Sequence, residues 1–173
     1  MWQWLKEKLR KYVRFILQLE DTPESIARGV AIGMFVAMTP TVGLQMLIVV
    51  FISFFIQLNR LAGIVMVYIS NPFTLVPIYW LDYLTGAYLF GYELVSWKEF
   101  QSIFQLEETV FYRQFWEFLG NCLSLGAEVL APMFLGGIFW GAVLGLPLYP
   151  LTLYAVRRYQ RQKKQPALKE GDR

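Results

Sequence analysis

From Ile26 to Leu58, Leu61 to Leu94 and Leu123 to Val156 the chain is apolar with few charges, and its polar residues collect between and outside these blocks. Each block is longer than the roughly 20 apolar residues that cross a hydrocarbon core. Ahead of them, Trp2, Leu5, Leu9, Tyr12, Val13, Ile16 and Leu19 recur near helical spacing with Lys and Arg between them. This predicts a helix lying in a membrane interface, apolar face down and basic face toward the headgroups. The expected fold class is all-α: a polytopic membrane helix bundle with proline-interrupted spans or re-entrant hairpins and amphipathic interfacial helices. Residues 1–21 would be the basic interfacial helix, 22–156 a single transmembrane domain, and 157–173 a basic cytoplasmic tail. Within the domain we expect a core over 22–91, an amphipathic segment over 96–120 and C-terminal spans over 121–156.

Prolines punctuate the apolar blocks. Asp21 or Thr22 can cap a helix that has Pro23 at its first position, and Pro40 ends that helix. Ser25 to Thr39 is short for a full span at about 1.5 Å per residue. It either crosses with its capped turn in the headgroups or forms one limb of a re-entrant hairpin whose second limb is Leu44 to Leu58. Leu61 to Tyr92 is cut by Asn71-Pro72 and by Pro77, and Leu123 to Val156 by Pro132, Pro147 and Pro150. Proline removes a backbone donor and disfavours helix in the residue before it. In lipid, the carbonyl so freed must find a partner inside the protein. Ser70-Asn71-Pro72 is therefore expected to be a break packed against the Pro40 turn, with the Asn71 amide serving the freed carbonyls. Trp97, Phe100, Phe104, Phe111, Phe115 and Phe118 predict a second interfacial helix. An alternative topology makes both long blocks hairpins and leaves everything between them cytoplasmic.

Gly29-x-x-x-Gly33 ahead of Pro40 is echoed by Gly137-x-x-x-Gly141 ahead of Pro147. Small residues four apart let helices approach closely. Paired interrupted segments in two halves also mark the sites of inverted-repeat transporters, but packing is the simpler account.

Composition strengthens the membrane reading. The chain is 56% apolar and 17% charged, against about a quarter charged in soluble domains. The net charge of +3 hides basic clusters at both ends, Lys6 to Arg14 and Arg157 to Arg173. By the positive-inside rule both termini are cytoplasmic, and the basic ends meet anionic headgroups rather than nucleic acid. Histidine is absent and Cys122 is the only cysteine, so there is no intrachain disulfide, no usual general base and no common metal ligand set. No phosphate loop, nucleophile elbow or dinucleotide fingerprint occurs. An enzyme is not expected, nor a cofactor or a metal.

The segment from Thr22 to about Gly91 resembles a bacterial membrane-protein family catalogued as domain of unknown function 2062. The resemblance rests on Pro23-Glu24-Ser25-Ile26-Ala27-Arg28-Gly29, then Gly33-Met34-Phe35, then Thr39-Pro40 with Gly43 and Gln45. Asn59, Ile69-Ser70-Asn71-Pro72-Phe73-Thr74, Pro77 and Tyr79 complete it. The resemblance implies a small multi-span protein of the bacterial cytoplasmic (inner) membrane and no particular activity.

Three ionisable residues lie inside apolar blocks: Arg28, Asp82 and Glu128. Such residues are costly in lipid and tend to pair or face a cavity. Arg28 either pairs with Glu24 one turn earlier or offers its planar fork to an anion. Asp82 and Glu128 are candidate partners of each other or of Arg28. Gln45 and Asn71 add a polar lining, and Pro40, Pro72 and Pro77 are the expected helix breaks. The leading functional expectation is binding or translocation of an anionic lipid or lipid-linked intermediate through Arg28, Gln45 and Asn71. The alternative is a non-catalytic structural or accessory subunit of a membrane complex. Small-residue faces also suit a homo-oligomer.

Overall fold

The computed structural model describes residues 2–41, 43–68, 70, 72–102, 120 and 127–170. The described residues form helices and no strand: α1 (Trp2–Leu17), α2 (Pro23–Met38), α3 (Gln45–Ile52), α4 (Arg60–Val67), α5 (Pro72–Phe90), α6 (Trp97–Ser102) and α7 (Ala127–Glu170). The all-α class holds. Asn71, Cys122, Phe104, Phe111, Phe115 and Phe118 lie outside the described residues.

α2 starts as its sequence dictates. Thr22 is the cap, its Oγ1 accepting from the Ser25 N–H at 3.2 Å, and Pro23 occupies the first turn. Thr39 ends the helix ahead of Pro40, and Gly43, at φ +80°, supplies the left-handed turn into α3. α3 has only 8 residues, and an irregular return over Ser53 to Leu58 brings the chain back to its start. There the Asn59 N–H donates to the Ser25 carbonyl at 2.9 Å, while the Asn59 side chain caps α4 through the Ala62 N–H. α4 then climbs beside α2. The contact is backbone to backbone, because a methyl group on Gly33 would collide with the Gly63 carbonyl and one on Gly29 with the Asn59 carbonyl. The glycine spacing in α2 thus serves helix packing.

The 44-residue α7 is the rail of the fold. Its first turns run antiparallel to α5, with Gly136 seated on the Asp82 carbonyl and Gly86 on the Pro132 carbonyl. Its middle runs antiparallel to α2, where Gly137, Gly141 and Gly145 meet Met38, Phe35 and Ala31 in turn. α2 and α5 therefore lie one after the other along a single helix. Tyr79, Tyr83, Phe100, Val129 and Met133 fill the core at the α5 end, and Ile26, Val30, Ala62 and Val156 fill it at the α2 end. Ile16, Leu17 and Leu19 dock α1 on the latter cluster, so the basic segments of α1 and of late α7 share one end of the molecule.

Two expectations are corrected. α7 is continuous through Pro132, Pro147 and Pro150, because packing of the glycine face on α2 and α5 outweighs the single backbone hydrogen bond that each proline removes. Pro77 likewise sits inside α5 and breaks nothing, since Tyr79 and Tyr83 beyond it are fully buried. Pro72 does begin a helix and Pro40 does follow the end of one. Among the described residues one helix is long and apolar enough to cross a membrane, Glu128–Lys163, with mean hydropathy 2.0. α2 and α5, with 16 and 19 residues, reach only about 24 and 29 Å.

The aromatic segment after Ser96 also departs from its expected interfacial role at its start. Phe100 is fully buried, 4.9 Å from the Trp80 ring and 5.5 Å from Tyr83 between ring centroids. These are the distances of interlocking aromatic pairs in a core. Tyr83 fixes the approach to α6 with its hydroxyl, which donates to the Glu93 carbonyl at 2.8 Å and accepts from the Val95 N–H at 2.9 Å.

Candidate functional site

The foot of α2 is held by a clasp of polar side chains. The Asp21 carboxylate accepts from the Thr22 N–H (2.7 Å), the Ser25 hydroxyl (2.8 Å) and the Asn59 amide (2.9 Å). Burial acts to raise its pKa, but the hydrogen bonds from Asn59, Ser25 and Thr22, with the Arg28 charge, outweigh it and hold the carboxyl below its ordinary value. Gln160 of α7 donates to the Asp21 carbonyl at 3.0 Å, and Arg157 forms an ion pair with Glu24. The hydrogen bond from Arg157 lowers the Glu24 pKa as well.

Arg28 sits one turn above the clasp and half-buried. Its Nε donates to the Glu24 backbone carbonyl at 3.3 Å rather than to the carboxylate. Among the described residues its two terminal nitrogens have no partner. The Arg28 side chain borders one end of an open, almost wholly apolar groove of about 340 Å³ between α2 and α7. Ala31, Ile32 and Phe35 line one wall, Gly141, Ala142, Gly145 and Leu146 the other, and Tyr149 joins Arg28 at the polar end. The groove volume is at the small end of the range for ligand sites, about 300–1,000 Å³.

Gln45 is elsewhere, beyond the far end of α2. It is buried, and its amide nitrogen faces the carbonyls of Val36, Ala37 and Thr39 at 3.2–3.4 Å and the Tyr79 hydroxyl at 3.1 Å. Its carbonyl accepts from the Ser70 hydroxyl at 2.8 Å, and Tyr79 donates to the Thr39 carbonyl at 3.0 Å. The break at Ser70 thus does meet the Pro40 turn, with Gln45 and Tyr79 as the bridge. The carbonyls at the end of α2 gain side-chain donors here, those of Val36 and Thr39 also accepting from the Thr39 and Thr41 N–H groups. Val36 is eight residues past Arg28, about 12 Å along the helix, so Arg28 and Gln45 do not share one pocket.

Asp82 and Glu128 do not form a pair. Asp82 is fully buried on α5, and neither carboxyl oxygen has a hydrogen-bond partner among the described residues. Glu128 is exposed on the first turn of α7, two helical turns before the Gly136 that packs on Asp82. Arg28 faces Gly145 and Tyr149, far along α7 from both. Three residues of the site escaped sequence reasoning. Tyr149 carries no local signal, and Arg157 was legible only as one charge in a basic tail. Gly145 was visible, since it extends the Gly137-x-x-x-Gly141 spacing by one more turn.

Comparison with known sequences bears on the whole of this architecture. The profile of a bacterial family, described as an uncharacterised protein conserved in bacteria (DUF2062), matches residues 6–165. The chain belongs to the DUF2062 family. The match extends past the Thr22 to Gly91 motifs to include most of α1 and the apolar part of α7 with its glycines. Clasp, groove and Gln45 bridge all lie within the family's region. No curated protein and no solved structure matches the chain.

Proposed function

We propose that this protein is a small, polytopic protein of the bacterial cytoplasmic membrane that binds an anionic lipid, or a lipid-linked intermediate, in the groove between α2 and α7. One observation carries the reading: Arg28, whose terminal nitrogens have no partner among the described residues, borders an otherwise apolar groove. An arginine fork suits a phosphate or carboxylate, and the walls behind it suit hydrocarbon. A ligand with both parts is an amphiphile with a negative head. The placement of α1 and the basic end of α7 at the same end as Arg28 supports a cytoplasmic orientation for that end, by the positive-inside rule.

The wider surface fits the same environment. Leu47, Phe51, Phe54 and Phe55 on α3 and its return, and Tyr88, Leu146 and Leu151, are more than 60% exposed. A soluble monomer rarely leaves so many large apolar side chains uncovered. The test is mass spectrometry of the lipids that stay with purified protein. The native chain is expected to retain a selected anionic lipid, and Arg28→Gln to lose it while remaining folded. Equal, unselective lipid on both proteins would refute the assignment.

A further inference from the structure

We propose that Asp82 is a proton-binding site at the junction of α2, α5 and α7, holding its proton while the helices are packed and releasing it when α5 and α7 part. The site is separate from the groove, whose α7 wall begins at Gly141, and does not depend on what the groove binds.

Asp82 sits where three helices converge. Its backbone carbonyl lies so close to Gly136 of α7 that a methyl group there would overlap it, and Gly86, one turn later, meets the Pro132 carbonyl in the same way. Gly137, the next residue of α7, packs on the Met38 carbonyl at the end of α2. In this packing Asp82 has no exposed surface, and neither carboxyl oxygen has a hydrogen-bond partner among the described residues. The hydroxyls nearest to it along α5 are engaged elsewhere. Tyr79 donates to the Thr39 carbonyl and accepts from Gln45, while Tyr83 bonds the backbone of Glu93 and Val95.

The packed elements bring no counter-charge either. α3 and α5 contain no Lys or Arg, α2 has none after Arg28, and α7 has none before Arg157. Lys98 of α6, whose Phe100 packs on Trp80 and Tyr83, is exposed, as is Glu93 ahead of it. Besides the tyrosines, the titratable group on the stretch of α7 facing α5 is Glu128, also exposed. A carboxylate only accepts hydrogen bonds, so an ionised Asp82 would be a buried charge with neither donor nor cation, which is strongly unfavourable. The acid form carries no charge and can donate. When α5 leaves α7, water reaches the group: the O–H bond breaks, the proton passes to water, and the remaining carboxylate is hydrated. Proton release and helix separation are thus one linked event, and by reciprocity a rise in pH favours the separated state.

The chain has three aspartates, Asp21, Asp82 and Asp172, so isotope labelling of aspartate carboxyls gives a readable infrared signal. Full-length protein in detergent at pH 7 is expected to show a protonated-carboxyl stretch that shifts with the label, persists in Asp21→Asn and disappears in Asp82→Asn. As pH rises, the band should fade while amide exchange along α5, corrected for its intrinsic pH dependence, quickens several-fold. Asp82→Asn and Asp82→Leu cannot ionise and should show no such acceleration; the Leu variant serves if the buried Asn amide prevents folding. Absence of a protonated aspartate at pH 7 overturns the proposal, and so does equal pH-driven exchange in native and variant chains. Loss of the band when sodium chloride replaces choline chloride at constant pH would make the ligand a sodium ion and overturn the proton assignment.

Discussion

Glu24 gives its carboxylate to Arg157 on α7, not to Arg28 one turn along its own helix. A Glu four residues before an Arg ordinarily suggests a local pair. The long-range partner wins here and leaves the terminal nitrogens of Arg28 uncommitted. It also ties the foot of α2 to the far end of the chain.

Because that ion pair is exposed, its loss should matter little for stability. Arg157→Gln is expected to lower the unfolding temperature only slightly, and the difference should vanish at about 1 M salt, where screening is nearly complete. A large, salt-independent loss in a thermal melt would contradict this. Gln45 should behave oppositely. Gln45→Leu removes the side-chain donor at the Ala37 carbonyl and one partner each of the Tyr79 and Ser70 hydroxyls, at about 1–3 kcal/mol for a buried group left unsatisfied. Denaturant titration in mixed micelles should show that loss for Gln45→Leu and almost none for Arg28→Gln.

Groove-filling separates the apolar wall from the charge. Ala142→Leu adds hydrocarbon to the groove wall without touching Arg28. It should reduce retained lipid several-fold with the protein still folded, as read by native mass spectrometry. Undiminished lipid would place the acyl chain elsewhere.

Glycine contacts set the packing, and Gly33 is the sharpest case. A methyl group there meets the Gly63 backbone, which has no flexible end to give way, so Gly33→Ala should cost about 1–3 kcal/mol as overpacking. Gly120, where an added methyl meets nothing among the described residues, is the control. Gly120→Ala should leave the unfolding midpoint in place.

The clasp predicts an acid limb. The Asp21 pKa is depressed in the folded protein below its ordinary 3.8. Its contribution to stability is therefore complete above that value and is lost as pH falls through the lower, folded one. Native protein should lose stability from about pH 4 downward, relative to its own value at pH 6. Asp21→Asn should be less stable at pH 6 and flatter below pH 4, a comparison made by thermal melts at fixed ionic strength.

Much of this was legible in the sequence for identifiable reasons. The start of α2 follows from Thr22-Pro23, its end from Pro40, and the meeting of the two breaks from the need to satisfy stranded carbonyls. The glycine repeats announced close helix contacts, though not which helices they would join. What misled was reading proline as an interruption wherever it occurred. Pro40 follows the end of α2 and Pro72 begins α5, whereas Pro77, Pro132 and Pro147 lie in helices secured by tertiary contact on both sides. Local propensity is identical in the two situations, so only the packing partner decides. The pairing of Glu24 with Arg157 was illegible for the same reason, since nothing near either residue encodes it.

The dependence of α2 on α7 has a consequence for synthesis. Met38 and Phe35 emerge from the ribosome roughly 100 residues ahead of the glycines that cover them. At about 5–20 residues per second that is a wait of roughly 5–20 seconds. During it α2 lacks its main partner. Nascent α2 can meanwhile lean on α4, which follows it closely and matches Gly29 and Gly33. Truncated chains that stop before residue 137 should accordingly be natural targets for cellular quality control, and completion of α7 is the event that commits the molecule to its final shape.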